Sequence, residues 1–318
     1  MSVPQPTTPP VTLTGVVPPL VTPLTSSYDV DTASLARLVH HQLTAGVRGL
    51  FVLGTSGEGT FLTDDQRRQV LETAVSKVSG SVPVLAGVID SSTNRVGEHL
   101  AAAMKARVDG VVATAPFYAA THPAEMERHF TRLAELSEGL PVFAYDIPSR
   151  IGGTKLPTDL LIKLGAAGVL AGVKDSSGLD TSLRALVLAR EMAALDNFVI
   201  MTGSELTVDS ALNFGVDGVV PGLGNIDPAG YVRIFDAIAA GDLVTARAEQ
   251  ARLFRLFDIV KVGDSGRMGQ SSASLGAFKA ALFLLGVINS PVTAYPSVPL
   301  DDSEIDGVRE LLVQAGLI

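Results

Sequence analysis

The stretch Gly172-Val173-Lys174-Asp175-Ser176-Ser177-Gly178 places a lysine directly after an apolar run and directly before a group of turn-forming residues. The run before the lysine, Val169–Val173, is short and rich in branched side chains, which predicts a buried β-strand. The serines and the glycine that follow predict the turn in which this strand ends. We therefore expect Lys174 to lie at the carboxyl end of a buried strand.

A lysine in that position is suited to covalent chemistry. Burying an ammonium group is costly, so a buried lysine tends to lose its proton. The neutral amine is a nucleophile that forms a Schiff base with a carbonyl carbon. The alternative is an ordinary solvated lysine between a strand and a helix, because most lysines are exposed. The chain has seven lysines, and only Lys174 ends a predicted strand. This favours the catalytic interpretation.

Further short apolar runs alternate with longer amphipathic patterns along the chain. The eight predicted strands are Gly15–Val21, Gly49–Leu53, Val82–Val88, Gly110–Thr114, Val142–Tyr145, Val169–Val173, Phe198–Met201 and Gly218–Val220. Eight strands, each followed by a helical pattern, predict an α/β fold, the (β/α)₈ TIM barrel. An open doubly wound sheet is the structural alternative, but no strand leads into the glycine fingerprint of a dinucleotide site.

We predict three parts in the chain: a disordered tail over residues 1–14, the barrel over 15–226 and a C-terminal helical region over 227–318. The first ten residues are rich in proline and threonine and show no signal-peptide pattern. Within the barrel, Thr63 and Gln66 predict a capping box at the start of a helix over Asp64–Val78. After Pro228 the pattern is purely helical, which predicts helices packed on the barrel.

Composition excludes several classes of function. The chain has no cysteine, so disulfides, thiol nucleophiles and cysteine-bound metals are absent. The net charge is −9 and no basic cluster occurs, which argues against nucleic acid as a partner. No apolar run is long enough to span a bilayer, so we expect no membrane contact, and the absence of cysteine fits a cytoplasmic location. The five histidines fall in or beside helical patterns, so we expect no metal site.

Loops that follow the strands form the active-site face of a barrel, and one of them is rich in glycine and hydroxyl groups. The second predicted strand leads into Gly54-Thr55-Ser56-Gly57-Glu58-Gly59-Thr60. Free backbone N–H groups in such a loop can hold a carboxylate or a phosphate. An ordinary tight turn is the alternative.

Two tyrosines and an arginine occupy other predicted strand ends. Tyr118 follows the fourth strand and Tyr145 ends the fifth. A tyrosine beside a Schiff-base lysine can act as general acid and base, although a buried tyrosine is more often a core residue. Arg150 can bind a carboxylate bidentately; its alternative is a surface ion pair, for instance with Asp146.

Three of these segments together resemble the signature segments of a known family. Gly54–Glu58, Tyr145–Arg150 and Gly172–Gly178 are similar to those of the dihydrodipicolinate synthase / N-acetylneuraminate lyase family, and the likeness extends from about Gly15 into the C-terminal helices. Members are class I, pyruvate-dependent aldolases and lyases. The resemblance implies a TIM barrel without metal or organic cofactor, and usually a homotetramer built as a dimer of dimers.

The resemblance also implies roles for the residues that bind and activate pyruvate. Lys174 matches the lysine that forms the Schiff base with pyruvate or a 2-oxo acid, and Tyr145 matches the tyrosine that relays protons at that imine. Thr55 and Ser56 match the hydroxyl pair that holds the pyruvate carboxylate, and Ser56 also joins the proton relay.

Three further residues match family positions around this centre. Tyr118 matches a tyrosine that completes the relay across a subunit interface. Val220 matches a residue whose backbone carbonyl faces the pyruvate. Arg150 matches the arginine with which synthase members bind the carboxylate of the second substrate.

Several positions differ from the usual synthase pattern. Synthases usually have two threonines at Thr55-Ser56 and Ser-Pro at Gly59-Thr60, asparagine is common at Asp146, and Pro221–Asn225 differs from the usual loop. The resemblance thus implies an aldehyde partner for pyruvate and favours a 2-oxo sugar-acid aldolase. The alternative is 4-hydroxy-tetrahydrodipicolinate synthase, which joins pyruvate to aspartate semialdehyde. A non-catalytic 2-oxo-acid-binding regulatory protein is the alternative of another class.

Overall fold

Eight short parallel strands form the centre of the molecule. A computed structural model describes residues 13–318, so the predicted disordered tail lies outside the described residues except for Leu13 and Thr14. The strands are β1 (Gly15–Val16), β2 (Leu50–Val52), β3 (Val84–Gly87), β4 (Gly110–Thr114), β5 (Val142–Asp146), β6 (Gly172–Asp175), β7 (Val199–Thr202) and β8 (Gly218–Val219).

The strands close into a barrel. Each strand from β2 to β7 pairs in parallel with the next, and β8 pairs with β1. The last gap, between β1 and β2, is bridged where Pro19 lies opposite Phe51. Two hydrogen bonds hold this bridge, from Leu20 N to Phe51 O at 2.8 Å and from Phe51 N to Pro18 O at 3.0 Å. The predicted (β/α)₈ barrel is therefore confirmed.

Helices follow the strands and cover the outside of the barrel. They are α1 (Thr32–Thr44), α2 (Asp64–Val78), α3 (Thr93–Ala106), α4 (Pro123–Leu136), α5 (Thr158–Ala166), α6 (Asp180–Met192), α7 (Val208–Asn213), α8 (Pro228–Ala239), α9 (Leu243–Leu256), α10 (Gln270–Leu284) and α11 (Asp302–Gln314). The predicted capping box of α2 is present, with Thr63 and Gln66 each bonded to the other's backbone. No helix within residues 13–318 is both long and apolar enough to cross a membrane.

The sixth strand begins later than predicted and extends further. Val169 and Leu170 both donate to the carbonyl of Leu164 near the end of α5, at 2.9 and 3.3 Å. Their N–H groups are therefore unavailable for strand pairing, and β6 starts only at Gly172. The strand ends at Asp175, so Lys174 lies within it, one residue before its end.

Side chains alternate between two faces of the barrel wall, as the two-residue period of a strand requires. A compact inner cluster fills the barrel and includes Phe51, Phe143, Tyr145, Met201 and Val220. A larger outer cluster packs between the strands and the helices. The helices α8 to α11 follow β8, and the division of the chain at residue 226 stays a prediction.

Candidate active site

Tyr145 and Lys174 meet inside the carboxyl end of the barrel. They are paired residues on β5 and β6, so their side chains leave the wall on the same face. Lys174 Nζ donates to the Tyr145 hydroxyl at 3.1 Å. Lys174 is only 7% exposed and Tyr145 only 2%. The one lysine that the sequence places at a strand end is thus buried beside a phenol.

Aromatic rings surround the Lys174 amine. Its Nζ lies 4.1 Å from the ring centroid of Tyr145 and 5.1 Å from that of Phe51. The two rings pack edge to face, with 6.4 Å between their centroids. Ring faces stabilise an ammonium group electrostatically, and the tight packing fixes where the amine points. A carbonyl compound entering the barrel mouth would meet a nucleophile of defined orientation.

The Tyr145 hydroxyl joins the lysine to the hydroxyl-rich loop after β2. Its oxygen lies 3.3 Å from Thr55 Oγ1 as well as 3.1 Å from Lys174 Nζ. Burial raises the pKa of the Tyr145 phenol, but the positive charge of Lys174 and the hydrogen bonds from Thr55, Lys174 and Ser176 outweigh it, so this pKa lies below its ordinary value. Such a phenol can give up and recover a proton during a reaction.

The loop carrying Thr55 and Ser56 contains hydrogen-bond donors that have no acceptor among residues 13–318. Within residues 13–318, the backbone N–H groups of Thr55, Ser56 and Gly57 and the Ser56 hydroxyl make no hydrogen bond. The loop is shaped by Glu58, which has a positive φ of 55°. A carboxylate placed above the loop could accept several of these donors, as a substrate acid would.

The carboxylate of Glu58 anchors this loop from below. It pairs with the Lys279 ammonium on α10, and both side chains are fully buried. It also accepts from Ala294 N at 2.6 Å, while Lys279 donates to Val292 O at 2.8 Å. A buried ion pair whose members are also hydrogen-bonded to the backbone is held in one arrangement. The C-terminal helices therefore fix the position of the hydroxyl pair.

Glu205, which the sequence analysis did not identify, is a further acidic residue after a strand, and the charge of Lys174 acts on its carboxyl group. It follows β7 in the segment Gly203-Ser204-Glu205, and its Oε1 accepts from Leu223 N at 3.1 Å. Burial raises the pKa of Glu205 to about 7, although hydrogen bonds from Leu223 and Gly222 and the positive charge of Lys174 act against it. The rule that strand ends carry the chemistry would have identified this residue had it been applied to β7.

Arg150 and Val220 follow β5 and β8, after the carboxyl ends of these two strands. Arg150 ends the 3₁₀ turn Pro148–Arg150, is exposed, and donates to the hydroxyl of Ser271 on α10. Arg150 does not form the ion pair with Asp146 that the sequence suggested, because the Asp146 carboxylate pairs with Lys155 instead. Val220 directly follows β8, belongs to the inner cluster and donates to Thr202 O at 2.8 Å.

Tyr118 differs from the other candidate residues. Its side chain is 99% exposed, and its backbone has a φ of 82°. A tyrosine in this region of backbone space is uncommon, and a large side chain so exposed adds little to the stability of its own subunit. The structure of one chain therefore brings Lys174, Tyr145 and Thr55 together, and leaves Tyr118 outside that group.

Comparison with known proteins gives a consistent assignment. Residues 12–315 match the family described as "Dihydrodipicolinate synthetase family". A Halobacterium salinarum protein named "Uncharacterized DapA-like lyase" is 34% identical over 312 residues, covering 97% of this chain and 96% of that protein. A Kineococcus radiotolerans 4-hydroxy-tetrahydrodipicolinate synthase is 33% identical over 298 residues, covering 94% and 92%.

Two solved structures share the whole fold. YagE, an E. coli K12 prophage protein of the dihydrodipicolinic acid synthase family crystallised with pyruvate, is 27% identical with a TM-score of 0.88, covering 96% of this chain and 99% of that one. A monomeric dihydrodipicolinate synthase variant is 25% identical with a TM-score of 0.88, covering 98% and 100%.

Proposed function

The chain belongs to the dihydrodipicolinate synthetase family, and on that premise we propose that it makes or breaks a carbon–carbon bond between pyruvate and an aldehyde through a Schiff base on Lys174. The observation that carries this proposal is the buried Lys174 amine, 3.1 Å from the Tyr145 hydroxyl at the carboxyl end of the barrel. Such pairing of a nucleophile with a proton donor and acceptor is what imine chemistry requires.

The residues support a complete sequence of steps. The Lys174 amine attacks the carbonyl carbon of pyruvate, the oxygen leaves as water after protonation, and the resulting iminium withdraws electrons from the adjacent methyl carbon. Loss of a methyl proton gives an enamine, which attacks the aldehyde carbon. Tyr145, with Thr55 and Ser56, carries the protons in both directions. Hydrolysis of the imine frees Lys174, and cleavage follows the same steps in reverse.

The substrate carboxylate has a defined place in this scheme. The hydroxyls of Thr55 and Ser56 and the free N–H groups of their loop bind it, so that the carbonyl carbon faces the amine. We assign the backbone carbonyl of Val220 to the opposite side of the pyruvate. YagE, whose structure contains pyruvate, has the same fold at 27% identity, which supports a pyruvate site here.

For the second substrate we favour the aldehyde portion of a 2-oxo sugar acid. Glu205 follows β7 and has a carboxyl pKa of about 7, so its side chain could hydrogen-bond to substrate hydroxyl groups in either protonation state. Arg150 would bind a distant carboxylate. The same arginine also suits aspartate semialdehyde, and the 33% identity to the Kineococcus synthase keeps 4-hydroxy-tetrahydrodipicolinate synthase as the second candidate.

We propose a cytoplasmic enzyme, a dimer of dimers, in which the exposed Tyr118 completes the proton relay of a neighbouring subunit. The almost full exposure of that side chain in a single chain supports this arrangement. A monomeric variant shares the fold, so the barrel itself does not require association.

Trapping of the imine tests the chemistry. The protein is incubated with pyruvate and borohydride, and the adduct is mapped by mass spectrometry. We expect one adduct on Lys174 and none in Lys174→Ala, while Lys163→Ala, which changes an exposed lysine paired with Glu127, behaves as the wild type. An adduct on another lysine, or none where a control aldolase reacts, contradicts the proposal.

A turnover screen tests the substrate. Pyruvate release from a panel of 2-oxo sugar acids is measured beside condensation of pyruvate with aspartate semialdehyde. Turnover of a sugar acid supports the first candidate, and condensation alone supports the second. Trapping without turnover of any compound would point to the non-catalytic binding protein.

A further inference from the structure

Two buried carboxylates lie directly behind the Tyr145–Lys174 pair. Asp146 and Asp175 are the next residues on β5 and β6, and they too are paired across the two strands. Because side chains alternate, they point to the outer face of the barrel wall while Tyr145 and Lys174 point inward. The Asp146 side chain is fully buried and that of Asp175 is 3% exposed.

Lys155 is the cation that joins these two carboxylates. It lies in the loop between the Pro148–Arg150 turn and α5, and its Nζ bonds to Asp146 Oδ2 and lies 3.5 Å from Asp175 Oδ2. The remaining oxygens are also satisfied. Asp146 Oδ1 accepts from Leu156 N at 3.1 Å, and Asp175 Oδ1 accepts from Ser177 N and Oγ at 2.8 and 2.7 Å.

Lys155 supplies the positive charge that offsets part of the negative charge in this cluster. Two acidic side chains face one ammonium, and like charges directly opposite each other on paired strands are destabilising. Burial raises the pKa of Asp146, and Asp175 raises it further, while Lys155 and Leu156 lower it. Removing the ammonium would leave two close, buried carboxylates, an arrangement that separation of the strand ends or uptake of a proton would relieve.

Separation of the strand ends would also move Tyr145 and Lys174 apart. Asp146 follows Tyr145 in the chain and Asp175 follows Lys174, so the distance between Tyr145 and Lys174 depends on the same strand pairing. Displacing a reacting group by about 1 Å can lower a rate by about a hundredfold. The bridge is therefore positioned to affect reactivity without touching substrate.

We propose that Lys155 is a positioning residue: by bridging Asp146 and Asp175, it holds the carboxyl ends of β5 and β6 in the arrangement that keeps the Tyr145 hydroxyl on the Lys174 amine. This inference rests on the proposed function, since its readout is formation of the pyruvate imine.

A double-mutant cycle tests the role of the bridge. The rate of borohydride-trapped imine formation is measured for the wild type, Lys155→Met, Asp146→Asn and the double variant, with thermal midpoints beside each rate. In the Asp146→Asn variant the side-chain amide can still accept from Leu156 N, and it removes one of the two facing carboxylates, so the repulsion between them no longer has to be offset by Lys155. Lys163→Met, which removes an exposed lysine of the Lys163–Glu127 pair, is the matched control.

We expect Lys155→Met to slow imine formation at least about tenfold in the wild-type background and less than about twofold in the Asp146→Asn background, with no effect of Lys163→Met. A structural role alone would lower the thermal midpoint without this recovery of rate. If Lys155→Met does not fold, Lys155→Gln takes its place in the cycle.

Failure of the proposed function and failure of the positioning role of Lys155 give different results. A wild-type protein that traps no imine contradicts the proposed function itself. A wild type that traps the imine, with Lys155→Met equally fast, overturns the positioning role alone. A double variant as slow as Lys155→Met overturns it as well, because the carboxylates would then not be the groups through which Lys155 acts.

Discussion

The phenol of Tyr145 and the amine of Lys174 are held together by strand pairing and not by a loop. The two residues lie opposite each other on β5 and β6, and their polar atoms are 3.1 Å apart within the barrel. Functional groups on paired strands are held more rigidly than groups on loops, because the backbone ladder fixes both Cα positions. Reactivity at this centre should therefore respond to small changes in either side chain.

Tyr145→Phe should reduce the rate of imine formation by about a hundredfold to a thousandfold, within the range for loss of a general acid and base. The ring that packs against Phe51 is retained, so the fold should be unaffected. Single-turnover trapping with pyruvate measures the rate, and circular dichroism checks the fold. Tyr295→Phe, which changes an exposed tyrosine, is the control. A Tyr145→Phe protein as fast as this control would show that the phenol carries no proton.

Glu205→Gln should change how stability depends on pH. The carboxyl pKa is about 7 in the folded protein and 4.5 as the unperturbed value, so between these values the folded state holds a proton that the unfolded state has released. The wild type should therefore lose stability relative to Glu205→Gln as pH rises through this window. For a fully buried carboxyl, the wild type would lose on the order of 3 kcal/mol of unfolding free energy over this window. The Glu205 side chain is partly exposed, which reduces this loss.

Urea unfolding of wild type and Glu205→Gln at several pH values between 4.5 and 8 measures this difference. Titration of all other groups occurs in both proteins and cancels in the comparison. Unfolding free energies that run parallel across the whole range would show that Glu205 does not hold a proton near neutral pH.

Arg150→Leu should weaken use of the second substrate while pyruvate imine formation stays within about twofold of wild type. Loss of a charge-assisted hydrogen bond costs about 1.5–3 kcal/mol, which corresponds to roughly a tenfold to hundredfold higher KM for an acidic partner. Ser271→Ala removes the hydroxyl that Arg150 contacts and separates orientation of the arginine from its charge. If imine formation falls together with use of the second substrate, Arg150 has a structural role.

Mixed subunits should show whether Tyr118 acts on a neighbouring chain. A Lys174→Ala subunit is combined with a Tyr118→Phe subunit, each poorly active alone. If Tyr118 acts in trans, one site of the mixed dimer contains an intact Lys174 and receives an intact Tyr118, so activity returns. If Tyr118 acts within its own chain, no site is complete. A confirmed mixed dimer without restored activity would reject the shared site.

Lys279→Met should destabilise the fold by about 3–5 kcal/mol, because it leaves the buried Glu58 carboxylate without its cation. Glu58→Gln combined with Lys279→Met removes both charges and retains an acceptor for Ala294 N, so it should recover part of this loss. Chemical denaturation gives the unfolding free energies. Lys261→Met, at an exposed pair with Asp258, is the control and should change stability by less than about 1 kcal/mol. A double variant no more stable than Lys279→Met would argue against charge as the cause.

Local sequence patterns were sufficient to predict the fold and the position of Lys174 near a strand end. Buried parallel strands are continuous apolar runs, and helices are amphipathic with local caps, so strand and helix order can be recognised from patterns a few residues long. The same local patterns place Lys174 near a strand end and predict the Thr63–Gln66 capping box of α2. They also place Thr55 and Tyr145 at the same end of the barrel, since parallel strands all end on one face.

Which of these residues meet depends on the three-dimensional arrangement of the chain. Strand register sets Tyr145 opposite Lys174, and curvature of the barrel brings Thr55 to the phenol from a loop 90 residues earlier in the chain. The start of β6 depends on hydrogen bonds from Val169 and Leu170 back to α5. The bridge from Lys155 to two carboxylates depends on where a loop crosses the outer wall. These contacts join residues distant in sequence, and local periodicity carries no information about register, curvature or the path of a loop.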